Sequence, residues 1–262
     1  MYNPSNILAL IFLHTKKILR QKYSTSLSQN IWVILTPAVM AIMYWFIFST
    51  LFYSEKINTQ NMSVPYALYF LIAYACWMFF QDILLSSINL YRDNTSYTRI
   101  PFFPMWIINF AICLSASNLF WVVSLIAIVI AYYNSLLYLD GIIWLILAYL
   151  NTFLWCLGAS MLISTFSIAN RDITNIVQII LNILFWIHPI IWVETGIDAP
   201  WVSIIRYSPL YISIDTARLF YSPQNMDFSL NSMWISLLAG TILCLLAFQT
   251  FKKRHFDVVE KL

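Results

Sequence analysis

Charge is scarce in this chain, and the scarcity excludes an ordinary soluble protein. Charged residues make up 10% of the 262 residues and hydrophobic residues make up 61%, whereas a soluble domain carries about 25% charged residues. Surfaces that face hydrocarbon need no charge, so contact with membrane lipids explains the composition. The long apolar runs predict an all-α integral membrane protein.

Glycine is also scarce, and this excludes the common nucleotide-binding loops. A Walker A loop or a dinucleotide-binding fingerprint needs two or three glycines within a short window. The four glycines of this chain lie far apart, at Gly141, Gly158, Gly196 and Gly240. We therefore expect no cofactor in this chain, and any ATP that drives it is expected on another chain.

Cysteine and histidine are too dispersed to indicate a metal centre or an active site. The four cysteines lie in separate apolar runs without CxxC spacing, which indicates neither a zinc site nor a disulfide framework. The three histidines, His14, His188 and His255, form no pattern with a carboxylate. A membrane glycan enzyme is a distant alternative, and no nucleic-acid partner is expected.

Six segments are apolar enough to cross about 30 Å of hydrocarbon. They are residues 31–53, 64–81 with a continuation past Asp82 to Asn89, 105–132, 140–166, 173–193 and 228–251. The uncharged run from Met105 to Leu139 is too long for one span, so a turn is expected at Tyr133-Asn134-Ser135. The prediction is a single domain, residues 1–262, with a tail at residues 252–262.

Two further segments are expected to lie beside the membrane spans. Within residues 1–30, apolar residues fall near one helical face and lysines and arginines gather elsewhere, which predicts an amphipathic interface helix. Residues 194–227 are apolar but interrupted by Pro200, Pro209 and Pro223. Each half is too short to span, so this segment predicts a re-entrant pair of short extracytoplasmic helices before the last span.

The distribution of lysine and arginine predicts the orientation. Three of the 14 fall on one predicted side, at Lys56, Arg206 and Arg218, and the other 11 fall on the opposite side. Positive residues stay in the cytoplasm. Both termini of this multi-pass protein are therefore predicted to be cytoplasmic.

Two short cytosolic loops carry isolated charges between long uncharged runs. The first covers residues 91–104 and begins with Arg92-Asp93, and the second covers residues 167–174 around Arg171-Asp172. Short surface helices between spans would transmit force from a soluble motor. The alternative for each loop is a tight solvated turn.

Aromatic residues make up 18% of the chain, and several lie in the middle of predicted spans. Pyranose rings stack on aromatic rings without fixed hydrogen bonds, so a sugar polymer can slide along such a lining. The predicted lining residues are Tyr44, Trp45, Trp77, Phe80 and Trp186. The alternative is packing between helices or against lipid.

Asp82 is the only carboxylate inside an apolar segment, where water or a nearby lysine would satisfy it.

Several local patterns occur in a characteristic order along the six predicted spans. They are Arg20-Gln-Lys-Tyr-Ser24 followed by Trp32 and Thr36-Pro37, Trp77-Met-Phe-Phe80, Phe102-Phe-Pro104, Asn170-Arg-Asp-Ile173 leading to Phe185-Trp-Ile-His-Pro-Ile190, and Ser208-Pro209. With these patterns in this order, the chain resembles the permease subunits of ABC-2 type polysaccharide exporters, which carry O-antigen, capsule or teichoic acid. The chain departs from that family at Arg99-Ile100, where a lysine is common, and in lacking glycine around span two.

The resemblance implies an assembly and a set of sites. The assembly is a homodimer of this chain in the inner membrane with two copies of an ABC ATPase, which binds ATP and Mg²⁺. The substrate is a polysaccharide on a polyprenyl diphosphate lipid, O-antigen being preferred over capsule, teichoic acid, or the drugs and lipids of other ABC-2 exporters. The implied ATPase-coupling residues are Arg92, Asp93, Tyr97, Arg99, Arg171 and Asp172. The implied diphosphate ligands are Arg20, Lys22 and Arg92, and the implied outer gate is His188, Pro189, Arg206, Ser208 and Pro209.

Overall fold

The structure, a computed structural model, describes residues 4–22, 29–51, 56–59, 62–98, 103–138, 140–170, 172–194, 200–221 and 226–261. Nearly all of these residues are helical, as expected for segments that must satisfy their own backbone hydrogen bonds in lipid. The helices are α1 (Pro4–Lys22), α2 (Gln29–Leu51), α3 (Tyr66–Ser87), α4 (Leu90–Asp93), α5 (Thr95–Thr98), α6 (Trp106–Tyr133), α7 (Gly141–Ala169), α8 (Ile173–Ile187), α9 (Pro200–Ile205), α10 (Pro209–Arg218) and α11 (Met226–Lys261).

A short β-hairpin precedes α3 and interrupts the helical pattern. Strands β1 (Lys56–Thr59) and β2 (Met62–Pro65) pair antiparallel, with Lys56 opposite Pro65. The sequence interpretation of an all-α chain does not include this hairpin. Strands this short carry too little periodicity to distinguish them from a loop.

Five of the described helices are long and apolar enough to cross a membrane, namely α2, α3, α6, α7 and α11. The chain is therefore a multi-pass, largely helical membrane protein. The sixth predicted span, residues 173–193, is helical only as α8, whose 15 residues extend about 22 Å. That length is less than the roughly 30 Å of a hydrocarbon core. Six spans therefore remain a prediction.

The predicted turn after the third span is confirmed. Helix α6 ends at Tyr133, where the backbone N–H of Asn134 donates to the carbonyl of Ile130 at 3.1 Å. Ser135 then adopts the left-handed conformation with φ of 58°. This conformation stops the helix and reverses the chain, so one long uncharged run is divided between α6 and α7.

Helix α3 lies at the centre of the bundle and packs against α6, α7 and α10. In the most apolar part of α3, 72% of the residues are buried, compared with 11% for α2 and 22% for α11. A helix that is apolar on all sides is expected inside a bundle. Helices α2 and α11 therefore form the periphery of the bundle, and their outer faces are exposed to lipid or another chain.

Small residues allow α7 and α11 to approach each other closely. A Cβ atom added at Gly158 would lie 2.8 Å from Cγ of Leu243. One added at Gly240 would lie 3.1 Å from the indole ring of Trp155. Close backbone approach at small residues is a common source of helix association in membranes, which explains why two of the few glycines face each other's helix.

A buried polar network joins the helices at the end of the bundle that carries the predicted cytosolic loops. The Tyr91 hydroxyl lies 2.5 Å from Oδ1 of Asn109, to which it donates. The Asn109 amide donates to Ser160 and Ser164, each at 2.9 Å, and the Ser87 hydroxyl donates to Ser160 at 2.7 Å. Such interhelical bonds contribute roughly 0.6 kcal/mol each, so the network fixes α3, α4, α6 and α7 relative to one another.

Candidate functional site

A groove between α2, α3 and α8 brings aromatic and amide side chains together. It encloses a cavity of about 220 Å³ lined by Tyr44, Tyr74, Trp77, Met78, Gln81, Asn182, Phe185 and Trp186. Each of the four residues from α3 lies three or four positions from two of the others, which places them on one helical face. No lysine, arginine, aspartate or glutamate belongs to this set. The groove is therefore a neutral surface with flat rings and hydrogen-bonding groups.

Three of the five predicted lining aromatics, Tyr44, Trp77 and Trp186, do line this groove. Phe80 lies behind it, with its ring centroid 6.0 Å from that of Trp77. Trp45 is 39% exposed on α2 and is not among the lining residues. Their position on spans was readable from the sequence, but the side of each helix that faces the groove was not.

Sequence reasoning missed two aromatic residues of the groove. The ring centroids of Tyr44 and Tyr74 are 4.8 Å apart, and those of Trp77 and Phe185 are 5.2 Å apart. Both distances fall within the range of attractive aromatic pairs. Tyr74 lies three residues before Trp77 on α3, so helical spacing from Trp77 was the available signal.

The groove also carries two amides that the sequence interpretation did not select, Gln81 on α3 and Asn182 on α8. Within the described part of the chain, neither amide hydrogen-bonds another residue. An unpaired amide in hydrocarbon costs roughly 4 to 8 kcal/mol. Exposure of both to lipid chains is therefore strongly unfavourable, and water or a polar ligand is the expected neighbour.

At one end of the groove the chain breaks at His188, where α8 ends with an extended backbone. His188 is buried, and its Nδ1 donates to the Leu184 carbonyl at 2.8 Å. Its Nε2 lies 2.7 Å from Oγ of Ser208 and accepts from that hydroxyl. One donor and one acceptor nitrogen is the hydrogen-bonding pattern of a neutral imidazole.

Ser208 joins His188 to the start of α10. Its Oγ accepts from the backbone N–H of Tyr211 at 3.1 Å, which makes Ser208 the N-cap, and Pro209 occupies the first helical position. Serine at the N-cap followed by proline is a strong helix start. One hydroxyl therefore caps α10 and holds the end of α8 at the same time.

Charged side chains surround this junction. Arg206 forms an ion pair with Glu194, and the Tyr211 hydroxyl donates to the other oxygen of Glu194 at 2.5 Å. Arg218 donates to the Pro189 carbonyl at 2.5 Å, and its guanidinium lies 3.5 Å from the ring centroid of Tyr69 on α3, a cation–π contact. We call His188, Glu194, Ser208, Tyr211 and Arg218 the junction cluster.

The five residues predicted for an outer gate are thus brought together at one place. His188 and Ser208 bond directly, Pro189 and Pro209 follow them in the chain, and Arg206 pairs with a member of the junction cluster. Glu194, Tyr211 and Arg218 were missed. Their partners come from distant parts of the chain, and no local pattern signals such contacts. Whether the cluster opens and closes remains a prediction.

At the opposite end of the bundle, α1 packs against the first predicted loop. The Tyr97 ring centroid lies 4.7 Å from that of His14 and 5.1 Å from that of Phe103. Lys17 donates to the Tyr97 hydroxyl at 3.3 Å. Tyr97, predicted to contact an ATPase, is thus half-buried between α1 and the loop, where it fixes one to the other.

The two predicted loops are themselves connected. Arg92 donates to the carbonyl of Ser167, near the end of α7. Asp93 and Asp172 are exposed, whereas Arg99 and Arg171 lie outside the described residues. In the second loop the described residues Asn170 and Asp172 form a tight turn, in which the N–H of Asp172 donates to Oδ1 of Asn170 at 2.9 Å. The described part of this loop therefore forms a tight turn, which was the alternative expected from the sequence, and contains no surface helix.

The three predicted diphosphate ligands lie in different contacts. Lys22, at the end of α1, forms a 2.5 Å ion pair with Asp82 of α3, and Arg92 is bonded to Ser167. Arg20 is exposed. The isolated carboxylate of α3 is therefore satisfied by a lysine, one of the two outcomes expected from the sequence, but the lysine is one that was assigned to the substrate.

The fold is that of a multi-pass helical membrane protein, and comparisons with known proteins show its family. The family model described as ABC-2 type transporter matches residues 9–222, so the chain belongs to that family. Two O-antigen export system permease proteins RfbA of Klebsiella pneumoniae are similar over 263 aligned residues. They are 22% and 23% identical, and each alignment covers 99% of this chain and 97% of the relative. The chain is thus a transport permease, as the resemblance implied.

Proposed function

We propose that this chain is the membrane-spanning subunit of an ATP-driven exporter that moves a polyprenyl-diphosphate-linked polysaccharide, preferably O-antigen, across the inner membrane. The neutral aromatic groove carries the proposal. Aromatic rings from three helices with two unpaired amides match the alternating apolar and hydroxyl surfaces of a sugar polymer. The full-length similarity to two O-antigen permeases supports the same substrate class.

The absence of charge in the groove favours a neutral glycan over an anionic polymer. Teichoic acid and many capsular polymers carry phosphate or carboxylate groups, which need cationic partners when they leave bulk water. The lining residues provide none. The groove is also richer in hydrogen-bonding groups than a path for apolar drugs or lipids requires.

The active assembly is proposed to contain two copies of this chain and two ATPase subunits. Trp186 on α8 lines the groove and is 67% exposed, and Ile179 on the same side of that helix is 58% exposed. These exposed side chains of α8 therefore border the groove. A second copy placed against them would close two grooves into one conduit, while ATP and Mg²⁺ bind on the partner subunits.

Coupling to the ATPases is proposed at the end of the bundle where the two loops meet. Asp93 and Asp172 present exposed carboxylates there, and the Arg92 bond to the Ser167 carbonyl joins the two loops. Movement at either loop would reach α7 and, through the polar network, α3. Arg99 and Arg171 are proposed to contribute further charges. The excess of basic residues at this end supports a cytoplasmic position for it and for both termini.

Entry of the lipid carrier is proposed at the same end, beside the Lys22–Asp82 pair. A diphosphate recruits exposed cations such as Arg20 and competes with Asp82 for Lys22, because phosphate forms strong charge-assisted bonds. At the opposite end, the junction cluster is proposed to act as the outer gate. Opening would require Ser208 to leave His188.

Deletion of the coding sequence in the native strain tests this proposal. The expected result is loss of surface polysaccharide with accumulation of lipid-linked polymer inside the cell, both restored by the wild-type chain. Trp77→Ala is expected to restore export poorly, while the control Trp45→Ala, outside the groove, restores it well. An unchanged surface polymer in the deletion strain would overturn the proposal.

A further inference from the structure

Helix α8 carries a row of amides that its role as a membrane helix does not require. Asn175, Gln178 and Asn182 recur at intervals of three and four residues, so they lie along one edge of the helix. All three are exposed, and none hydrogen-bonds another residue in the described part of the chain. Over the seven residue steps from Asn175 to Asn182, the row extends about 10 Å along the helix.

The amide row is separate from the apolar exposed face of α8. At 100° per residue, Ile176, Ile180 and Ile183 are separated from the row by roughly a quarter turn or more around the helix axis. The two faces thus offer different chemistry to different neighbours. The isoleucine face suits lipid or a second copy, whereas contact with lipid is costly for the amides.

The row opens onto the aromatic groove. Asn182 lines the groove together with Gln81 of α3, and Trp186, one turn beyond Asn182, continues it towards the junction cluster. Gln178 and Asn175 extend the same edge towards the predicted cytosolic end. Rings therefore occupy one stretch of the groove, and hydrogen-bonding groups continue from it along α8.

We propose that Gln81, Asn175, Gln178 and Asn182 form a row of hydrogen-bonding sites that recognises the hydroxyl groups of the glycan during export. Aromatic rings contact sugar faces without distinguishing one hydroxyl pattern from another. Amides, each with donors and an acceptor, do distinguish them. The row thus determines which neutral polymer passes and holds it in register between steps. This inference rests on the proposed export function and assigns specificity residues within it.

The first experiment measures whether the row is hydrated. The native cysteines, Cys76, Cys113, Cys156 and Cys244, are replaced by alanine, and single cysteines are introduced as Asn175→Cys or Asn182→Cys, with Ile183→Cys as control. The assembled complex is treated with the charged reagent trimethylammonium-ethyl methanethiosulfonate. We expect labelling at both amide positions to be at least roughly tenfold faster than at the control, because the reagent attacks hydrated thiolates.

Two results of that experiment overturn the inference. Labelling of the amide positions no faster than Ile183→Cys would place the row against lipid or protein. Rapid oxidative crosslinking of Asn182→Cys to the same position in a second copy, without labelling, would show that the amides join the two copies.

The second experiment separates glycan recognition from the export function as a whole. The double variant Gln178→Leu and Asn182→Leu removes two hydrogen-bonding sites with little change in size. Surface polymer should appear roughly tenfold more slowly, as expected for two modest hydrogen bonds, while ATP hydrolysis by the purified complex is retained. Ile183→Leu should export normally.

The outcomes of deleting the chain and of the double leucine substitution can be distinguished. Loss of export on deletion of the chain, with normal export by the double leucine variant, overturns the amide row alone. Unchanged export on deletion overturns the proposed function, and with it the role of the row.

Discussion

Removal of one hydroxyl, by Ser208→Ala, should loosen the junction between α8 and α10. The hydroxyl caps α10 through the Tyr211 N–H at 3.1 Å and donates to Nε2 of the buried His188 at 2.7 Å. Loss of an N-cap costs about 1 kcal/mol. A buried acceptor without a partner costs about 1 to 3 kcal/mol more. The junction should therefore be weakened by roughly 2 to 4 kcal/mol, since the two losses affect different groups.

Hydrogen–deuterium exchange of the purified complex measures this change directly. A weakening of that size raises the rate of local opening at least roughly 30-fold, at 1.4 kcal/mol for each factor of ten. The increase should be confined to the amides of α10 and the end of α8. Ser208→Thr keeps the hydroxyl and should exchange nearly as the wild type does, as should Ser203→Ala on the exposed side of α9.

Exchange in α10 that is unchanged by Ser208→Ala would refute this reasoning. It would mean that Arg218 and Glu194 hold the junction without the serine. An increase spread evenly over α3, α6 and α7 would also contradict it, because the loss would then be of global stability and not of one joint.

Two further predictions concern contacts at the opposite end of the bundle. Charge reversal by Arg92→Glu should leave membrane insertion intact but uncouple ATP hydrolysis from export, measured as hydrolysis without surface polymer; normal export would refute the coupling role. Asp82→Lys should impair export through repulsion of Lys22. The swapped pair, Lys22→Asp with Asp82→Lys, should regain part of the export activity, by an amount that reflects roughly 0.2 to 1 kcal/mol for a partly exposed ion pair. No recovery would indicate that export does not depend on this ion pair.

The positions of the helices were largely predictable because lipid imposes simple rules. Runs without charge gave α2, α3, α6 and α7 to within a few residues, whereas α11 continues to Lys261, ten residues beyond the predicted end of the last span. Hydrocarbon excludes charges and unpaired backbone groups, so composition alone marks such segments. The break at His188-Pro189 was also readable, since proline disfavours helical geometry in the residue before it.

The contacts within the site were predictable only in part. The aromatic residues of the groove and the polar residues of the junction were visible as types at plausible depths. Which of them meet depends on the rotation of each helix and on partners far away in the chain, as for Glu194 with Tyr211 or Lys22 with Asp82. The amides of α8 were legible in the sequence, but their lack of a partner is evident only in the structure.

The most direct test of the central claim is to purify the tagged chain from its own membranes after mild crosslinking and to identify by mass spectrometry what remains bound. The account predicts an ATPase with a Walker A motif in equal amount with this chain, together with a lipid-linked neutral glycan. Recovery of the chain alone, with no nucleotide-binding partner, would contradict export driven by ATP.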